Sequence, residues 1–496
     1  MNKIWDTFEQ ACLRHHDRTA IVCKQERWTY RQLLSKVRQF ANSILQSTNN
    51  TCDRIGLLLK NSEQYPLAYY STLLAGRTPF LIDPAFGANE LKAIAQSTGV
   101  TYYLLDQSDL ETFPLPIQSS LCLAESQLAL VRLAEDFAAI PLASNAATCR
   151  FTSGSTGTPK CLEFSDEAVT QAAIHWAKGT GLTCDDQILC LAALSNGLAF
   201  NTSFLPAFYQ GATLHLMYGM LIPSFVGKYI QQENISRLVG FPTFYRMLVQ
   251  SPNIEPTKLA ELKIAISAGA QLWPWVRTDF YQRFGLRIAD YYGIAETGPV
   301  TFELDEDFPN GLGSPLPNAT IQIEDAAASS EFQADVGEVL VRTSSMANRY
   351  LNVPGLLENK IDAEGFYHTA DLGYIAAGRL YIVGRKDSMV IVGGRNVEPS
   401  EITEIILSMD NVQDALVFGM EDSSKEMVLH AAVVAPTLKR QDVIAFCQTQ
   451  LANFKVPAFI HFVPSIPRNG IGKAITSELK SLISAALSAK ETSEEV

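Results

Sequence analysis

Residues 151–160 read FTSGSTGTPK, a run with five Ser or Thr hydroxyls (Thr152, Ser153, Ser155, Thr156, Thr158), two glycines (Gly154, Gly157) and a closing lysine, Lys160. Small residues let backbone N–H groups approach an anion closely, the hydroxyls add donors, and the lysine adds charge, so the run suits phosphate oxygens. It is not the Walker pattern, because Pro159 stands before Lys160 and no Ser or Thr follows it. Taken alone, a Ser/Gly-rich run of this kind reads more often as a plain surface loop, so its surroundings decide.

Those surroundings alternate in period. An amphipathic helix is expected over 5–17, then two short strands around a turn (20–23 and 28–30). Helical stretches over 30–47, 62–75 and 89–97 then alternate with apolar runs at 54–59, 78–82 and 101–105. After the FTSGSTGTPK run the alternation resumes from 167 to 291, with strands expected near 187–191, 212–216, 238–240 and 264–267. This is the pattern of layered α/β sheets. From about residue 311 the texture changes to short strands and turns (TIQIED, GEVLVRT, GYIAAGRLYIVG), predicting a small β-barrel-like subdomain over about 306–384. Beyond Gly384-Arg385-Lys386-Asp387 come a hairpin-like MVIVGGRNV, a helix over 399–408, strands at 415–419 and 430–434 and a helix from 439. The fold class expected is therefore α/β: a large N-terminal domain (1–386) and a small, mobile α+β C-terminal domain (387–496), with a frayed tail, AKETSEEV.

Bulk properties exclude several functions. A formal net charge of -13 opposes nucleic-acid binding through a general basic surface. Nine cysteines carry no CxxC pair and no zinc spacing, and read as reduced thiols of a cytoplasmic protein. No apolar run of about 18 residues exists to span a membrane, and the first residues show no export signal.

Four further segments carry chemistry. In YYGIAETG (291–298), Tyr291, Tyr292 and Gly293 offer a flat surface on which a base can stack, and Glu296 offers a hard oxygen for Mg²⁺. Asp371, in YHTADLGYI, can accept hydrogen bonds from two vicinal ribose hydroxyls, or be an ordinary turn residue. GRKDSMVIVGGRNVEPSEI (384–402) carries Arg385, Asp387 and the Gly393-Gly394 pair, which by itself would serve as a hairpin turn. PRNGIGKA (467–474) places Lys473 in a glycine-rich loop close to the C-terminus.

In this order and spacing, the five segments resemble the adenylate-forming superfamily of acyl- and aryl-CoA synthetases, nonribosomal peptide adenylation domains and firefly luciferase. The resemblance spans residues 151–473. It implies an AMP-forming acid–thiol ligase that uses ATP and Mg²⁺. A carboxylic acid becomes an acyl-adenylate with loss of pyrophosphate, and the acyl group then passes to the thiol of coenzyme A or of a carrier protein's phosphopantetheine arm. It further implies that residues 152–157 and Lys160 hold phosphates, that Tyr291, Tyr292 and Gly293 pack on the adenine, and that Gly269 also binds the nucleotide. Glu296 would bind Mg²⁺, Thr297 would touch the α-phosphate, and Asp371 and Arg385 would hold the ribose. Lys473 would be the catalytic lysine, Asp387 the hinge of the C-terminal domain, and Gly393 and Gly394 the lining of the thiol's tunnel. An ammonium is apt at the reacting centre, where two anions must meet.

The same resemblance places the acid between three segments, 194–204, 241–245 and 267–271, so that Asn196, Phe200, Phe241, Ser267, Ala268 and Gly269 are the candidate pocket residues. Many relatives have a His near the start of the first segment; here Ser195-Asn196-Gly197 stands instead. No acidic residue occurs between Leu189 and Tyr229 to pair with a substrate ammonium, so an acyl or aryl acid is expected over an α-amino acid. The alternatives are an amino-acid-activating enzyme that loads a carrier protein, a non-catalytic nucleotide-binding relic, and a luciferase-like oxidase.

Overall fold

The computed structural model describes residues 2–49, 51–123, 126–152, 159–217, 219, 221–267, 272–304, 311–329, 334–386, 390–392, 395–421, 427–468 and 474–494. Two large sheets dominate. The first has eight strands, with Ala146–Thr152, Thr78–Ile82, Arg54–Leu58 and Tyr102–Asp106 running parallel at its centre. Lys160–Ser165 returns antiparallel to Ala146–Thr152, with Thr152 opposite Lys160. The two ends of the FTSGSTGTPK run therefore lie side by side on antiparallel strands.

The second sheet has seven strands. Gln187–Cys190, Thr213–Leu216, Arg237–Gly240, Ile264–Ser267 and Ile288–Asp290 are parallel, and each is an almost wholly buried, apolar run. Strands covered on both faces read this way because neither face meets water. The N-terminal hairpin, Thr19–Cys23 and Glu26–Thr29, completes this sheet by pairing parallel to Thr213–Leu216.

Helices fill the space between the sheets. Tyr30–Ser47 starts at a capping box in which Thr29 and Gln32 satisfy each other's backbone N–H groups. Asp166–Gly179 starts at Ser165, whose hydroxyl accepts from the Ala168 N–H, and carries Asp166 and Glu167 in its first turn, where the helix dipole favours acids. Rings lock the helices Lys3–Arg14 and Gln64–Leu74 to the 200–210 segment: Phe8 stacks on Tyr70 with centroids 3.7 Å apart, and Phe204 packs edge-on against Tyr69 and Phe208. Each such ring withdraws roughly 150–250 Å² from water, so this aromatic layer contributes strongly to the core.

The β-rich segment departs from expectation. It forms an open, four-stranded antiparallel sheet (Ala319–Ser329, Ala334–Thr343, Tyr367–Ala376, Arg379–Arg385), and no closed barrel forms among the described residues. Closure needs more strands and a consistent stagger than four strands supply.

The smaller C-terminal domain is a three-stranded sheet (Asp414–Glu421, Met427–Val434, Phe459–Phe462) with helices Pro399–Leu407, Arg440–Gln450 and Thr476–Glu494. The last helix runs on to Glu494, so the tail read as frayed is helical up to that point; its sequence, SELKSLISAALSAKETSE, is rich in good helix formers.

Candidate active site

The candidate site lies where the first sheet meets the open β-sheet. At its centre is the Glu296 carboxylate. Its Oε1 accepts from the Tyr350 hydroxyl at 2.6 Å and the Tyr367 hydroxyl at 3.1 Å, and its backbone carbonyl accepts from the Ala347 N–H. Burial, reinforced by the Glu296 charge, pushes both phenols far above their usual range, so they remain donors. Thr152, the first of the phosphate-loop candidates, lies against the Tyr350 phenol. Lys160 and Glu296 thus belong to one neighbourhood, although 136 residues separate them in the chain.

The hairpin's exit is pinned from a distance. The Asn352 side chain accepts from the Cys161 N–H at 2.8 Å and donates to the Pro159 carbonyl at 2.9 Å and the Ser97 hydroxyl at 3.2 Å. Of the loop itself, Ser153, Gly154, Ser155, Thr156 and Gly157 lie outside the described residues.

Asp371 is 4% exposed. Its Oδ1 accepts from Arg385 Nη1 at 2.8 Å, its Oδ2 accepts from the Tyr292 hydroxyl, and its N–H donates to the Thr369 hydroxyl. Three sequence candidates, Tyr292, Asp371 and Arg385, are therefore in direct contact. Tyr291 turns the other way, edge-on to Trp176 at 5.1 Å. Gly293 is required by close approach: a Cβ there would sit 2.6 Å from the Gly298 carbonyl oxygen. The Thr297 hydroxyl is buried and donates to the Gly298 carbonyl, so it faces its own backbone.

The acid segments contain more internal bonding than the sequence suggested. The Asn196 side-chain oxygen caps the helix Gly197–Ala199 by accepting from the Leu198 N–H at 2.9 Å. Asn61 grips the preceding loop from both sides, donating to the Ala192 carbonyl and accepting from the Leu194 N–H. Phe200–Phe204 forms one wide π-type turn, a feature enriched at functional sites, with Phe200 stacked on Phe204. Phe241 is half-buried against Phe244, and Ser267 is buried with no partner for its hydroxyl among the described residues. Ala268 and Gly269 lie outside the described residues.

Lys473, Asp387, Gly393 and Gly394 also lie outside the described residues, but their frames do not. Arg468 and Ala474 bridge across the Lys473 segment, and Arg468 clamps Asp414 with bonds of 2.7 and 3.1 Å. Asp414 in turn lies 3.8 Å from Arg246 of the large domain, which donates to the Gln413 carbonyl at 2.7 Å and lies over the Trp273 ring. Tyr350, Tyr367, Asn352, Arg246 and Asp414 went unremarked in the sequence; isolated Tyr, Asn and Arg residues carry no local signal of such roles.

The chain belongs to a family of adenylate-forming ligases: residues 8–351 match the AMP-binding enzyme family and residues 401–473 the AMP-binding enzyme C-terminal domain. It is an AMP-forming acid–thiol ligase. Among characterised relatives, it is 27% identical to a methyl-dioxo-octahydroindenyl-propanoyl:CoA ligase of Rhodococcus jostii, over 93% of this chain and 95% of that one. It is 26% identical to the 2-succinylbenzoate–CoA ligase of Bacillus mycoides, over 94% and 96%. Its fold matches ATP-bound MatB from Rhodopseudomonas palustris with a TM-score of 0.83 at 22% identity, covering 97% of this chain and 99% of that one; apo MatB scores 0.73. The anthranilate CoA ligase AuaEII in complex with anthranoyl-AMP scores 0.82 at 20% identity, covering 98% of each chain.

Proposed function

We propose that this ligase activates an acyl or aryl carboxylic acid as its adenylate and transfers the acyl group to coenzyme A, with the residue roles that follow. The observation that carries the reading is the direct contact of Tyr292, Asp371 and Arg385 beside the Glu296–Tyr350–Tyr367 cluster. Tyr292 and Arg385 fix the orientation of the Asp371 carboxylate, which can then accept from the ribose hydroxyls of ATP. Lys160 and the hydroxyls of the loop then face the phosphates.

In the first half-reaction a carboxylate oxygen attacks the α-phosphorus, the bond to pyrophosphate breaks, and Lys473 offsets the charge gathered between the two anions. In the second, the thiol sulfur attacks the acyl carbonyl and AMP departs. The Glu296 carboxylate fits Mg²⁺: it is a hard oxygen ligand, oriented through Oε1 by two phenols, with no hydrogen bond to its Oε2 among the described residues. When bound, the ion would neutralise phosphate charge.

The two domains divide at the hinge expected from the sequence, 1–386 and 387–496. In support, the Lys386 N–H still bonds to the Ala370 carbonyl of the large domain, at 2.7 Å, whereas Val390 packs on Gly419 of the small one. Coenzyme A is favoured over a carrier protein as acceptor because the relatives' names are those of CoA ligases, and these act on ring-bearing acids.

The test is acid-dependent exchange of labelled pyrophosphate into ATP across a panel of aliphatic and aromatic acids, followed by thioester formation with coenzyme A. Absence of exchange with every acid overturns the reading.

A further inference from the structure

Arg150 belongs to the strand Ala146–Thr152, two residues before Thr152 and on the same face of the sheet. It is 6% exposed and forms no ion pair among the described residues. Its Nη1 is fully buried and has no hydrogen-bond partner there. The guanidinium lies over the Phe164 ring at 4.2 Å and the Phe200 ring at 5.5 Å. Burial lowers its pKa to about 10, so it is still a cation at neutral pH.

A buried cation is costly unless paired, and ring faces offset only part of that cost. The carboxylate it feels most, Glu296, is the weakest of the four groups that favour its charge, and that carboxylate is already engaged by two phenols. Nη1 points at Gly197: a Cβ on that residue would lie 2.8 Å from Nη1 and 4.0 Å from the Asn201 Nδ2. Two side-chain donors thus converge on a residue with no side chain. Two more buried hydroxyls without partners among the described residues, Ser195 Oγ and Tyr65 Oη, lie on the neighbouring segments.

Depth identifies what such donors would meet. A strand advances about 3.3 Å per residue, so Arg150 sits roughly 7 Å below Thr152, beneath the start of the phosphate loop and against the acid segment Gly197–Asn201. We propose that Arg150 is a specificity-determining residue that receives a second carboxylate of the acid, remote from the one that is adenylated, so that the preferred substrates are dicarboxylic acids. A planar guanidinium suits this role because it meets a carboxylate with two parallel bonds. This rests on the adenylation reading above.

The experiment is pyrophosphate exchange with matched pairs: succinate and butyrate, adipate and hexanoate, suberate and octanoate, terephthalate and 4-methylbenzoate. In at least one pair the wild type is expected to favour the diacid by roughly 10-fold or more in kcat/KM, because a site built around a buried polar group discriminates strongly against an analogue that leaves it unpaired. Arg150→Met should collapse that ratio to one or below, with the loss carried by the KM of the diacid rather than that of ATP. Arg150→Lys, which keeps the charge but not the fork, should fall between, and it serves if the Met variant fails to fold. Three results overturn the proposal: monoacids used as well as diacids in every pair, equal losses on both members in Arg150→Met, or a loss confined to the KM of ATP, which would make the ligand a phosphate. Exchange by the wild type with no acid of any class would instead remove the adenylation reading itself.

Discussion

Arg385 donates from Nη1 to Oδ1 of Asp371 across 2.8 Å, and the two residues are register partners on neighbouring antiparallel strands. The pairing holds a carboxylate in place at a position that is 4% exposed. Asp371→Ala would leave both the Tyr292 hydroxyl and the Arg385 guanidinium without this acceptor. It should raise the KM for ATP roughly 10- to 100-fold, the worth of one or two hydrogen bonds to a charged group. Tyr292→Phe should raise it by less. An unchanged ATP KM in Asp371→Ala would remove Asp371 from the nucleotide site.

Glu296 makes a separate prediction. Glu296→Gln keeps the shape but not the charge, so exchange activity should drop about 100-fold and the Mg²⁺ concentration needed for half-activity should rise. A titration of exchange rate against Mg²⁺ checks this; an identical Mg²⁺ curve would mean that the ion is held elsewhere.

Lys473→Ala should reduce adenylation by roughly 100- to 1000-fold, the scale seen on removing one charge-stabilising donor. Thioester formation from supplied acyl-AMP should be spared. Comparable losses in both half-reactions would assign the lysine to folding or to general binding.

Arg246 joins the two domains through the Gln413 carbonyl and Asp414, and Asp414 holds Arg468 at the base of the Lys473 segment. Arg246→Met should slow adenylation about 10-fold or more while leaving transfer from supplied acyl-AMP within about 2-fold, since a hydrogen bond from a charged group, such as that to the Gln413 carbonyl, contributes about 1.5–3 kcal/mol. Equal slowing of both steps would show that the contact serves stability alone.

His215 sets an acid limit on stability. It is fully buried, bonded to Gln187 and Tyr229, and burial lowers its pKa to about 3. The unfolded chain binds this proton below its ordinary pKa of about 6.5 while the folded chain refuses it, so stability falls as pH drops from about 6.5 towards 3. The slope approaches about 1.4 kcal/mol per pH unit for a single such group. Melting temperatures of wild type and His215→Gln between pH 4 and 7 test this; parallel curves would exclude His215 as the cause.

The sequence by itself determined the class of fold and named the candidate nucleotide-site residues, of which the structure brings Tyr292, Asp371 and Arg385 into contact. The FTSGSTGTPK, YYGIAETG and HTAD runs are chemistry written in consecutive residues, and hydrophobic period distinguishes buried parallel strands from amphipathic helices without any knowledge of partners. Only the tertiary structure decided how those parts are held. Tyr350 and Tyr367 reach Glu296 across 54 and 71 residues, Asn352 reaches Ser97 across 255, and Arg246 reaches Gln413 across 167. Such contacts leave no periodic trace, because any Tyr, Asn or Arg looks alike until the sheets bring it beside its partner. The open four-stranded sheet, read as barrel-like, failed for the same reason, since closure depends on stagger between strands. Arg150 is the sharpest case: in the sequence it is one more strand residue, and only its burial beside Gly197, with Nη1 unpaired among the described residues, gives its charge a consequence.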